Sequence, residues 1–332
     1  MKRRNFLALT AACAGAAFVR PLDAFAKTAW TSGNLSPDAA VSARAGTMFA
    51  KLITERTNGE IEVKHFNNAQ LGTTQEEMEN TATGVQQLFV SSGSAASSLV
   101  KPFGIVDTAF LFRDRDHFEA FMASDMAQEL KQRMVDEFGV RIISSNWFAL
   151  PRYLLHREKF IETADDVDGV KVRSPNLPMF LGSYNAMGAT PISIAYNEQY
   201  FAIRQGLVDM TESAADRILP MKLHEVAPKI TVCDMMYPQN NVYINEASWA
   251  ALTPELQDIV LACADETAAW HTDTAMSEFG AAKAEIEAEG GEFFQMPEET
   301  RAALAERIVA AEPKFVEQGL VPQGWFEKIR AL

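Results

Sequence analysis

The sequence predicts an α/β chain with open, largely parallel sheets flanked by helices and divided between two lobes. Three observations carry that expectation. Short alternating apolar runs recur between helix-spaced apolar stripes over most of the chain, a rhythm that favours parallel sheets covered by helices. Removal of an N-terminal export segment leaves about 306 of the 332 residues, enough for two domains. A helix-spaced stretch from Pro254 to about Glu289, some 35 residues or roughly 50 Å long, exceeds what one domain of this size needs and can brace two lobes.

The elements follow in order. Residues 28–33 read as a short first strand. Ser36-Pro37 then offers an N-cap with proline at N1, and Val41, Ala45, Met48, Phe49, Leu52 and Ile53 keep helical spacing until Asn58-Gly59. Ile61 and Val63 alternate as the next strand, and a helix begins near Thr73-Thr74 with Glu76 and Glu77 in its first turn. VQQLFVSSGSAASS reads as a strand entering a small, polar loop. One helix is predicted through Phe118, Phe121, Met122, Leu130, Met134 and Phe138, closed by Gly139 and followed by the strand VRIISSNW. From Arg152 the rhythm resumes: RYLLHR and GVKVRS are strands, 177–187 a helix, TPISIA a strand and 197–205 a helix. LVDMTES is strand-like, 214–226 helical and KITVCDMM a strand. The long helix carries Leu256, Ile259, Val260, Cys263, Thr267 and Trp270 on one stripe.

Residues 1–26 combine a basic start, an apolar run from Phe6 to Val19 and the small-x-small ending Ala24-Phe25-Ala26, the pattern of a cleaved secretory signal. Arg3-Arg4-Asn5-Phe6-Leu7 also resembles the twin-arginine export signal of bacteria. Export places the mature chain in the periplasm. Losing Lys2, Arg3, Arg4, Arg20 and Asp23 takes the net charge from −14 to −17, which disfavours nucleic acid and anionic lipid as partners. No later segment is long and apolar enough to span a bilayer. Cys233 and Cys263 survive maturation without CxxC spacing, and either one disulfide or two buried thiols fits them.

The five histidines are scattered singly, with no second ligand three or four residues away, so no metal site is expected. GxSxG, GxxxxGK[ST] and GxGxxG patterns are absent, and the chain is read as a non-enzyme without cofactors. The stretch KVRSP, residues 171–175, is more informative. Pro175 turns Ser174 away from helical geometry, so Arg173 stands at a strand end. There it is either a solvated edge charge or a fixed cation placed for an anion.

DGVKVRSP (168–175), MGATPISIAYNEQYFAIRQGLVD (187–209) and KLHEVAPKITV (222–232) resemble the substrate-binding proteins of tripartite ATP-independent periplasmic (TRAP) transporters, solute-binding family 7. HFNNAQLGTTQEE and TGVQQLFVSSG upstream fit the same family. The resemblance implies a periplasmic-binding-protein-like fold, with two lobes closing around a small organic anion and handing it to a membrane permease driven by an ion gradient. It also implies a monomer. The expected division is 27–151 with about 239–280 in one lobe, and 152–238 with about 281–332 in the other.

Carried over by position, Arg173 is the residue that binds the ligand carboxylate, and Arg152 is a second arginine facing the cleft. Asn176 and Met179 follow at the mouth of the next helix. Glu212 keeps an acidic position. Ser213, Met210 and His224 stand where the family usually has asparagine, glycine and tyrosine. Ser92, Asn34 and Trp147 complete the candidate set. Ser213, Tyr184, Phe180 and Trp147 also suggest a sulfonate or aromatic-acid ligand. From other classes, an exported hydrolase and a receptor serving a sensor kinase remain alternatives.

Overall fold

The structure, a computed structural model, describes residues 28–332, so the export signal lies outside the described residues. The first part of the chain runs β1 (Thr28–Gly33), α1 (Val41–Arg56), β2 (Ile61–Phe66), α2 (Thr74–Thr83) and β3 (Leu88–Ser92). Two 3-10 turns, Gly93–Ser98 and Lys101–Asp107, lead to α3 (Arg115–Ala123), α4 (Asp125–Phe138) and β4 (Val140–Phe148). The second part runs β5 (Arg152–His156), β6 (Lys171–Ser174), α5 (Pro178–Met187), β7 (Thr190–Ser193), α6 (Gln199–Arg204), β8 (Met210–Ala214) and β9 (Lys229–Val232). The chain then returns through β10 (Gln239–Asn245), α7 (Glu246–Ala250) and α8 (Pro254–Ala288). It ends with β11 (Glu292–Gln295), α9 (Glu298–Glu317) and α10 (Trp325–Arg330).

Two sheets result, ordered β2-β1-β3-β10-β4 and β11-β9-β5-β8-β6-β7. They are mixed rather than largely parallel. β10 runs antiparallel to β3 and β4, and β5 runs antiparallel to β8 and β9. The reason is the double crossing between lobes, which forces a strand to enter each sheet from the opposite end. The crossing segments pair with each other: Ala149 N donates to Pro238 O at 3.0 Å, Arg152 N to Met236 O at 3.0 Å, and Met235 N to Arg152 O at 3.1 Å. Two bonded strands bend more readily than a packed interface, so the geometry is that of a hinge.

The 35-residue α8 touches both lobes. Val260, Cys263, Ala264 and Ala268 pack with Phe49 and Trp147 against the first sheet, whereas Ile286 packs with Leu155 and Ile230 against the second. Cys233 and Cys263 are both buried and free, in separate clusters. α10 returns to the first lobe, where His117 Nε2 meets Ile329 O at 2.7 Å.

Two expected helices change shape. The helix through Phe118 and Phe138 breaks at Ser124, which closes α3 and caps α4 by accepting from Ala127 N. A cap oxygen competes with the helical ladder for the same donors, so one continuous apolar stripe becomes two helices. Over 214–226 only the 3-10 turns Ala215–Arg217 and Leu223–Glu225 form. Pro220 lacks an N–H, and Lys222 adopts the left-handed region at φ 55°. Arg217 therefore sits on a tight turn directly after β8.

Candidate functional site

A cavity lies between the lobes, at the ends of β3, β5, β6 and β8. Crevices at strand ends are the natural sites of open α/β sheets, because loops there present side chains and free backbone groups together. The first lobe contributes Asn34, Leu35 and Ser36 after β1 and Ser92, Ser94 and Ala95 after β3. The second contributes Arg152, Arg173, Leu177, Phe180, Tyr196, Glu212, Ser213 and Arg217. Asn240 enters from the returning strand β10.

Arg173 occupies β6 next to Val172, and strand alternation sends the two side chains to opposite faces. Val172 joins the apolar core, while Arg173, only 3% exposed, lines the cavity. Its Nε donates to Ile194 O at 3.0 Å, and its guanidinium stands 6.0 Å from the Tyr196 ring centroid. Among the described residues no carboxylate lies within ion-pair distance of it. Burial lowers its pKa, against the opposing charge of Glu212. A buried guanidinium aligned by its Nε and left without an anion suits a carboxylate, whose two oxygens match its fork.

Arg152 is compensated. Its Nη1 donates to Glu212 Oε2 at 2.5 Å, across the β5–β8 pairing. Burial pulls its pKa down, but the charge and hydrogen bond of Glu212, with help from Asp107, leave it raised. Asp107 sits behind the cavity wall and accepts from Ser94 Oγ at 2.5 Å; Ser92 Oγ lies 3.0 Å from Ser94 Oγ. Burial pushes the Asp107 carboxyl up to about 7, against the Ser94 hydrogen bond and the charge of Arg152.

Six of the sequence candidates line this cavity: Arg173, Arg152, Glu212, Ser213, Ser92 and Asn34. Not all are free to act. The Asn34 amide is committed to backbone groups, donating to Val90 O of β3 at 3.0 Å and accepting from Ser36 N at 2.7 Å. Ser213 Oγ donates to Ala214 O at 3.0 Å. Asn176 lines the adjoining groove with Ser97, Ser98 and Lys101.

Three expectations are corrected. Met210 lies at the far end of β8, opposite His156, and is fully buried in the core. Two steps of about 3.3 Å along the strand separate it from Glu212, the nearest residue of β8 that lines the cavity. Trp147 is also fully buried, edge-on to Phe49 with 5.8 Å between ring centroids, in the layer under α8. His224 faces an outer groove, where Nε2 lies 2.7 Å from Glu289 Oε2. Met179 and Tyr184 are likewise core residues, so of the proposed aromatic set only Phe180 reaches the cavity.

Arg217, Tyr196 and Asn240 were not foreseen. Arg217 is 5% exposed, and its Nη2 donates to Asn240 Oδ1 at 2.8 Å. The signal that could have exposed it is Pro220, which argues against the helix expected there. Among the described residues no cluster of histidine, cysteine or carboxylate side chains could hold a metal ion, and no helix is long and apolar enough to cross a membrane.

Residues 32–318 match the family model described as bacterial extracellular solute-binding protein, family 7. The chain belongs to that family. A solute-binding protein of Verminephrobacter eiseniae is 29% identical over 201 residues, 60% of this chain and 59% of that protein. The 2,3-diketo-L-gulonate-binding periplasmic protein YiaO of Escherichia coli is 26% identical over 222 residues, 67% of each chain. A TRAP periplasmic solute-binding protein of Sulfurospirillum deleyianum, solved with bound succinate, superposes with a TM-score of 0.83 at 26% identity, covering 92% of this chain and 99% of that one. These relatives are binding proteins and not enzymes, and the described fold is the two-lobe α/β architecture of TRAP solute receptors.

Proposed function

We propose that the protein is a periplasmic receptor that binds a small organic anion through a carboxylate on Arg173 and delivers it to a TRAP permease. The observation that carries this reading is a buried guanidinium lining an interlobe cavity with no carboxylate partner among the described residues. At 4 Å and an effective dielectric of 20, one ion pair contributes about 4 kcal/mol before desolvation. A micromolar ligand needs about −8 kcal/mol in total. The surface charge of the mature chain does not cancel the clamp, because in about 0.15 M salt exposed carboxylates beyond roughly 8 Å are screened. Closure over the paired crossing strands would desolvate the clamp further.

The succinate bound by the Sulfurospirillum relative and the gulonate derivative in the name of YiaO support an organic-acid ligand. The serines facing the cavity bond to one another, to Asp107 and to a backbone carbonyl, an arrangement that does not favour a hydrolase. A thermal-melting screen across organic acids tests the receptor reading, since a ligand that binds only the folded state raises the melting temperature. Arg173→Ala should keep a folded spectrum and lose the ligand-induced rise. An undiminished rise in that variant would refute the assignment.

A further inference from the structure

Glu77 is a carboxyl buried where no cation answers it. It lies on the inner face of α2, fully buried, and is pressed against the end of β1, where a Cβ on Gly33 would stand 1.8 Å from its Oε2. That oxygen accepts from Gln86 Nε2 at 3.0 Å, and the same nitrogen also donates to Leu88 O at 2.8 Å. Glu77 Oε1 and Gln86 Oε1 are buried with no hydrogen-bond partner among the described residues. Two acceptor oxygens thus share one interior site without a donor, and a proton on the carboxyl supplies one.

The elements around it offer the ionised form nothing. β3, β10 and the turn Gly93–Ser98 pack against α2, and among them only Tyr243 titrates; its hydroxyl donates to Ser92 O at 3.0 Å. His65 bonds to Ser32 and lies across the first sheet, against Gly46 of α1. On α2 itself Glu76 turns back to Thr73, and Glu79 is exposed and bonded to Gln75. Arg141, on β4, is taken by Glu246 at 2.6 Å. Burial therefore pushes the Glu77 carboxyl up from 4.5 to about 7, against the Gln86 hydrogen bond.

Little else holds α2. Of its ten residues only Glu77, Met78 and Thr81 are buried, so one apolar side chain is set against one carboxyl. A helix this short does not stand alone in water. We propose that Glu77 is a proton-operated latch: neutral, it docks α2 on the first sheet; ionised, it releases the helix. Thr73 and Thr74, at the start of α2, border the cleft, so the latch sets the firmness of one lip, whatever ligand the cleft takes. Below pH 4.5 docked and released helix both hold the proton. Between pH 4.5 and 7 the released form ionises first, so opening becomes easier as pH rises, and above 7 the effect is complete.

Hydrogen exchange of the purified protein and of Glu77→Gln, compared at pH 5.5 and again at pH 8, reads the latch, because comparison at one pH cancels the intrinsic exchange chemistry. Residues 74–83 of the parent should exchange faster than those of the variant. That ratio should grow by about fivefold or more from pH 5.5 to 8, since each unit of pKa shift is a factor of ten in the opening equilibrium. Over α1 the ratio should stay within twofold. If Glu77→Gln does not fold, exchange over 74–83 relative to α1 in the parent takes its place, with the same growth expected. Growth of less than fivefold overturns the latch. Equal growth over α1 overturns it as well, because the whole lobe and not α2 would then be opening.

Discussion

Arg152 and Glu212 form a buried ion pair across β5 and β8, Nη1 to Oε2 2.5 Å, at the floor of the interlobe cavity. Their side chains are 9% and 2% exposed, so water screens the pair little. Glu212 is thereby occupied with a neighbouring arginine. Its carboxylate neutralises Arg152, one of the cations that line the cavity.

Removing that partner should show where the pair acts. Glu212→Gln leaves Arg152 buried without a counter-ion, and breaking a buried pair costs about 3–5 kcal/mol. Calorimetric melting should show that loss in the ligand-free protein and a smaller loss at saturating succinate, where a ligand carboxylate takes over part of the pairing. Equal losses in both states would separate the pair from the ligand site.

Arg173→Lys keeps the charge and discards the fork. One charge-assisted hydrogen bond is worth about 1.5–3 kcal/mol, so organic-acid affinity should fall by roughly 10- to 100-fold. A loss smaller than threefold by calorimetry would show that the carboxylate is not held by both guanidinium branches.

Asp107 gives the protein a pH signature. Its carboxyl rises from 3.8 to about 7 because burial disfavours the charge. Below pH 3.8 both folded and unfolded chains hold the proton, and this group carries no penalty. Between pH 4 and 7 the unfolded chain ionises freely while the folded one resists, so stability falls; above 7 the loss is complete. At about 1.36 kcal/mol per unit the full effect is on the order of 4 kcal/mol. His271 acts oppositely: burial lowers it from 6.5 to about 4, so its contribution is complete above 6.5 and is lost as pH falls to 4. The two partly cancel in the intact protein. The difference in melting temperature between Asp107→Asn and the parent should therefore grow in favour of the variant from pH 4 to 7 and then level off. A difference independent of pH would contradict the buried-carboxyl account.

Trp147→Phe tests the corrected placement of that residue. Its Nε1 is buried without a partner among the described residues, and its ring packs on Phe49 under α8, away from the cavity. The variant should lose at most about 1–3 kcal/mol, through altered core packing. Its succinate affinity should stay within twofold of the parent. A tenfold change in affinity would return Trp147 to the ligand site.

Much of this architecture was legible from local patterns. The capping box of Thr73 and Glu76, the proline at the first position of α8 and the apolar stripe that follows it are short-range signals, and the corresponding helices form. Sheet direction was not legible. β10 and β5 run antiparallel because each follows a strand connection that crosses between lobes, and no local pattern records a crossing. Ser124 likewise shows in the sequence as one polar residue between two apolar stripes, yet it divides α3 from α4.

The site divides in the same way. The sequence by itself determined that Arg173 ends a strand beside Pro175, and the family pattern drew attention to it. Strand alternation then follows from bond geometry, which is why Val172 and Arg173 part to opposite faces. Only the tertiary structure decided which other residues share that face. Arg217 and Asn240 are 23 residues apart and meet because two lobes place a turn and a returning strand together. Met210, Trp147 and His224 lie away from the cavity for the converse reason: sequence position places a residue on an element, but packing decides which of its faces is left open.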